Sequence, residues 1–115
     1  MKKFLAVYTG SAAAMASWNA LTETERQQMQ VQGMAAWKKW VADNAASIVD
    51  VGGPLSKTTL INKAGISDIR NNLGAFTIVQ AESQAAVAKL FVNHPHFTFF
   101  PGEGVEVMEV MQIPG

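Results

Sequence analysis

Residues 4–9 alternate without a polar face. Phe4, Ala6 and Tyr8 fall on one side of a strand and Leu5, Val7 and Thr9 on the other, so the pattern predicts a strand covered on both sides. Thr9-Gly10-Ser11 turns the chain into residues 12–20, a short helical turn or ordered loop in which Met15 and Trp18 point one way. A long helix then starts at Thr22-Glu23-Thr24-Glu25. This is a capping box, in which the Thr22 hydroxyl accepts from the Glu25 amide and the Glu25 carboxylate reaches back. Met29, Gly33, Met34, Trp37, Trp40, Val41 and Asn44 follow at helical spacing, with Arg26, Gln27, Gln30, Lys38 and Asp43 mostly opposite.

Residues 48–51 read as a short strand closed by Gly52-Gly53-Pro54, and residues 57–61 as another. Residues 62–72 are polar and rich in Gly, Asn and Asp, which predicts a loop or irregular excursion. A strand over 75–81, a helix opened by Ser83 as N-cap and a last strand near 105–112 complete the chain. The order predicts one domain over residues 1–115, of α+β class: a ferredoxin-like βαββαβ plan, with two helices on one face of an antiparallel sheet. In the last strand Val105, Val107 and Met111 share one face, and Met108 and Val110 the other. A sheet covered by helices on one side only should be polar on the other. Apolar residues on both faces of the first and last strands therefore predict a homodimer, with the open sheet face buried against a second subunit.

Read together, these segments resemble the YCII-related family of small dimeric α+β-barrel proteins. The resemblance rests on Gly52-Gly53-Pro54-Leu55 at the close of the second strand and on the helix-ending His94-Pro95. It extends to the Gly74 strand followed by an Ala-rich helix opened by Ser83, and to Val105-Glu106-Val107 with Met111-Gln112-Ile113-Pro114. It covers nearly the whole chain and implies a dimeric α+β barrel. The Asp-Gly-Pro-Phe signature of one branch is absent, as is a first-helix histidine that pairs with an aspartate in some relatives, so that dyad does not carry over.

Composition narrows the function. Nine basic and nine acidic residues give zero formal net charge with no basic block, which argues against nucleic acid as a partner. A hydrophobic fraction of 49% against 16% charged residues fits a domain that buries an extra face. Cysteine is absent, excluding disulfides and thiolate chemistry. Met1-Lys2-Lys3 ahead of Phe4-Leu5-Ala6-Val7 imitates a secretory signal, but Tyr8, Thr9, Gly10 and Ser11 interrupt the apolar run too early. The reading is a first strand and a cytoplasmic protein. No run approaches the ~20 apolar residues of a membrane span, so no membrane partner is expected.

His94 and His96 bracket Pro95 and are candidates for acid–base work, since imidazole titrates near neutrality. The plainer alternative places a histidine in the last helical turn, favoured by the helix dipole. With no third donor in view, no metal site is expected. Asp50 lies in an apolar strand beside Gly52 and Gly53, where backbone approaches a ligand closely, and it would pair with His94 if both face one cleft. Trp18, with Met15, is the candidate for a ligand pocket, whereas Trp37 and Met34 read as core. Gly52 and Gly53 with Lys57 lack the spacing of a phosphate loop. The leading reading is a small organic ligand bound in a cleft beside the sheet, with cofactor-free acid–base chemistry by His94 and Asp50. Trp18, Met15, Gly52 and Gly53 would bind the ligand, and no cofactor is expected. A cofactor-independent monooxygenase or lactone isomerase, and a non-catalytic structural or regulatory dimer, are the alternatives.

Overall fold

The structure is a computed structural model describing residues 1–115. Its central strand is β1 (Lys2–Thr9), flanked on both sides by antiparallel neighbours, β5 (Leu73–Ala81) and β6 (Gly104–Glu109). β2 (Ile48–Pro54) adds to the outer edge of β5, giving the order β2-β5-β1-β6.

Four helices are present: α1 (Ala12–Asn19), α2 (Glu23–Asp43), α3 (Gln84–Leu90) and the single turn α4 (Pro95–Thr98). The Thr22 hydroxyl accepts from the Glu25 amide and the Glu25 carboxylate from the Thr22 amide, so the capping box opens α2 as expected. Ser83 caps α3 through its hydroxyl. α1 is a complete helix capped by Ser11, but it buries none of its residues. The core lies between α2, α3 and the sheet. Phe4, Ala6, Tyr8 and Val79 from the strands meet Trp40, Val87 and Phe91 from the helical layer. This is the ferredoxin-like α+β plan.

Three local readings need correction. β2 does not stop at Gly52-Gly53-Pro54 but runs through Pro54. It is an edge strand with register shifts on both sides of Asp50, and at an edge or bulge proline costs no ladder hydrogen bond. Residues 62–72 are not irregular: β3 (Thr58–Asn62) and β4 (Gly65–Ile69) form a separate two-stranded hairpin. The Asn62 side chain accepts from the Ala64 amide, and Gly65, at φ +120°, turns the chain back. Residues 59–74 are all exposed, so the hairpin has no buried face to impose an apolar alternation. It stands off the body and contributes to a radius of gyration of 16.0 Å, against about 13 Å for a compact domain of this length. The last strand also ends sooner than expected, at Glu109.

The sheet face away from the helices carries Leu5 in register with Ile78 on one side and Met108 on the other, with Val7 opposite Phe76 beside them. Met108 is 42% exposed. No helix is long and apolar enough to cross a membrane.

Candidate functional site

His94 reaches its place through a turn rather than a helix end. α3 stops at Leu90, and Asn93 takes the left-handed conformation (φ 58°) that asparagine tolerates better than most residues. His94 then becomes the N-cap of α4, with Pro95 in the first turn. His94 is thus not in a last helical turn, whereas His96 lies in the last turn of α4. The His94 Nδ1 accepts from the His96 amide at 3.0 Å. Accepting there requires a lone pair on Nδ1, so the neutral ring carries its proton on Nε2.

That Nε2 is fully buried and has no hydrogen-bond partner. The ring is 2% exposed and packed in aromatic side chains: Trp40 at 4.5 Å between centroids, Tyr8 at 5.1 Å, Trp37 at 5.4 Å and Phe91 at 5.6 Å. Burial among these groups, with a further contribution from the charge on His96, lowers the His94 pKa to about 4. At neutral pH His94 is thus an uncharged N–H donor with nothing yet to donate to. An unsatisfied buried donor costs about 1–3 kcal/mol, so an acceptor here, a water or a ligand oxygen, is favoured.

His96 is held differently. Its Nε2 lies 2.8 Å from the Thr9 carbonyl, which can only accept, leaving Nδ1 with the lone pair of the neutral ring. Gly102 packs so closely on His96 that a Cβ there would collide with its ring and its carbonyl oxygen. Tyr8 also has its proton committed. The Thr77 hydroxyl donates to the Val51 carbonyl at 2.9 Å, so the Tyr8 hydroxyl, 2.8 Å from Thr77, is the donor in that pair. Burial pushes the Tyr8 pKa up to about 12, and its phenol joins β1, β5 and β2 rather than serving as an acid.

Both histidines line a cleft of about 940 Å³, within the range of small-molecule sites. Met15 of α1, Met34 and Trp37 of α2, and Phe100 contribute its apolar walls. Gly52 and Gly53 form part of the β2 side. Gly52 has φ +70°, and a Cβ there would run into the Phe76 carbonyl.

Four of the six residues singled out from the sequence, His94, Met15, Gly52 and Gly53, thus line one cleft. Trp18 and Asp50 do not. Trp18 lies farther along α1 than Met15 and falls outside the lining. Asp50 pairs with Ile78, in the row facing away from the helices, and its carboxylate accepts from the Gly52 amide at 2.9 Å. The bulge sets that parity, and the Asp50–His94 pair is not assembled. Met34 and Trp37, read as core, are cleft walls, Met34 being 48% exposed. Tyr8, His96, Phe100 and Arg70 complete the site. Of these, only His96 carried a chemical signal in the sequence, through the His-Pro-His run. No group of three His, Cys, Asp or Glu side chains is placed to hold a metal ion.

No family model and no curated protein matches this chain. Among solved structures, 5-chloro-2-hydroxyhydroquinone dehydrochlorinase from Burkholderia phenoliruptrix AC1100, in complex with 2,5-dihydroxybenzoquinone, superposes with a TM-score of 0.56 and 21% identity, covering 95% of this chain and 93% of that one. At that identity the likeness is one of fold: this chain shares the α+β architecture of a small-molecule enzyme.

Proposed function

We propose that this chain is a cytoplasmic, YCII-related homodimer that binds a small ring compound bearing a carbonyl or enol oxygen in the cleft beside the sheet and performs cofactor-free acid–base chemistry on it. The observation that carries this reading is the buried, unpartnered Nε2–H of His94. A neutral imidazole is a good partner for a carbonyl oxygen, since its hydrogen bond strengthens as the oxygen gains charge while the ring itself carries none. His96, with its lone pair on Nδ1, is the base candidate in the same cleft. It would take a proton from the ligand as His94 stabilises the resulting enolate, and would return it at another carbon. The apolar walls support a ring rather than an extended polar chain. A solved structure of this fold is in complex with 2,5-dihydroxybenzoquinone, a compound of that kind. The apolar row of half-buried Leu5 and Ile78 with exposed Met108 supports the dimer, because a monomer gains nothing by leaving it in water.

The test is an amide NMR titration against hydroxyquinones, hydroxybenzoates and lactones, 2,5-dihydroxybenzoquinone included. The expected result is at least one ligand shifting the amides around Tyr8, His94 and Phe100. Shifts confined to other surfaces, or none from the whole set, would overturn the reading.

A further inference from the structure

Among the side chains lining the cleft, Arg70 carries the only permanent charge. No Asp, Glu or Lys accompanies it there, and it forms no ion pair: the two ion pairs of the chain are Lys2–Glu109 and Lys39–Asp43. It makes no side-chain hydrogen bond either, so its whole fork of N–H donors is unused, whereas the Asn71 side chain and the Ser11 hydroxyl are occupied. The Asn71 amide donates to the Thr58 hydroxyl at 3.0 Å, and its carbonyl accepts from the Leu73 amide at 3.0 Å. Ser11 donates to the Glu103 carboxylate at 2.8 Å.

The segment carrying Arg70 is anchored at two points. The Asn71 bond ties it to the first residue of β3, and the Asn72 carbonyl accepts from the Gly10 amide at 2.9 Å, tying it to the end of β1. Arg70 is exposed and belongs to the mouth, while His94 is buried and belongs to the floor. Met34, Trp37 and Phe100 line the same cleft. A ligand that satisfies both ends has an oxygen acceptor at its inner edge, an apolar ring and an anionic group at its outer edge.

Resting on the small-molecule reading above, we infer that Arg70 is the anion-recognition residue of this cleft and that its ligands are ring acids: carboxylates, or ionised enols of the vinylogous-acid type. A guanidinium binds a carboxylate or an enolate through paired N–H···O bonds, geometry that a lysine cannot reproduce. The absence of any carboxylate in the lining leaves this charge without a competitor inside the site.

The experiment compares ligands matched in shape and different in charge. Calorimetric titrations would use 2-hydroxybenzoate against 2-hydroxybenzamide, and 2,5-dihydroxybenzoquinone against its dimethyl ether, with the wild-type chain, Arg70→Gln, Arg70→Lys and His94→Leu. The wild type is expected to prefer each anion by about tenfold, in line with a charge-assisted hydrogen bond near the surface. Arg70→Gln should bring the anion-to-neutral ratio close to one, with Arg70→Lys in between. His94→Leu should weaken both members of a pair while keeping their ratio. Equal wild-type affinity for anion and neutral partner, or a ratio unmoved by Arg70→Gln, overturns the assignment of Arg70 and leaves the small-molecule reading standing. Failure of every ligand to bind removes both.

Discussion

Replacing His94 by phenylalanine should remove most of one acid-dependent loss of stability, and the size of that loss follows from the burial of the ring. Above its ordinary pKa of 6.5 the imidazole is neutral whether the chain is folded or not, and stability is independent of its titration. Between 6.5 and about 4 the unfolded chain takes up a proton that the folded chain refuses. Folding free energy therefore falls as pH is lowered, by about 1.4 kcal/mol per pH unit, and the loss levels off at about 3 kcal/mol below the folded pKa. Urea unfolding of the wild type and His94→Phe at about pH 7.5, 6.5, 5.5 and 4.5 would measure it, with the other titrating groups cancelling in the difference. Phenylalanine fills the ring's place and does not titrate, but loses the cap to the His96 amide, a pH-independent cost of about 1 kcal/mol. Loss of the cap and removal of the unpartnered Nε2–H set a pH-independent offset, and between pH 7.5 and 4.5 the stability difference should move by about 2.5 kcal/mol in favour of His94→Phe. Parallel profiles, with the difference constant to about 0.5 kcal/mol, would refute the claim that His94 is held neutral by burial.

Other expectations are local. Gly52→Ala forces a side chain into a left-handed backbone and against the Phe76 carbonyl, and should cost at least about 2 kcal/mol in urea unfolding; Gly53→Ala, with nothing near its Cβ, should stay within about 0.5 kcal/mol. Gly33→Ala should destabilise by about 1–3 kcal/mol despite its better helix propensity, because its Cβ would lie 2.5 Å from Phe100 Cζ; a stabilised variant in thermal unfolding would contradict the packing described. Sedimentation equilibrium should give twice the 12.4 kDa chain mass at micromolar concentration, and Ile78→Lys should return it to one chain mass; a monomeric wild type would contradict the dimer.

The parts of the fold legible in the sequence are those where burial or capping chemistry constrains the residue type. β1 announces itself because it is apolar on both faces, and α2 and α3 because Thr22 and Ser83 are side chains that can satisfy free helix amides. Of the β3–β4 hairpin, β3 is legible as the strand over residues 57–61, but β4 is not: with no buried face, its residues carry no alternation. The site divides along the same line. His94 and the glycines stand out by residue type, but the face on which Asp50 lies depends on bulges in β2 that no local pattern encodes. Met15 and Trp18 share a helix, and only its placement against the sheet decides which meets the cleft. Arg70 passes as one more polar residue in an exposed stretch until the fold brings its segment beside the end of β1.

The central claim is that His94 offers a neutral Nε2–H to a ligand oxygen. Long-range ¹H–¹⁵N NMR of the imidazole reads this directly, because protonated and unprotonated ring nitrogens resonate far apart. At neutral pH the His94 spectrum should show a protonated Nε2 and an unprotonated Nδ1, and saturation with 2,5-dihydroxybenzoquinone should move the Nε2 proton downfield while the tautomer stays the same. A proton on Nδ1, a charged imidazolium, or a bound ligand that leaves the Nε2 resonance where it was would contradict the account.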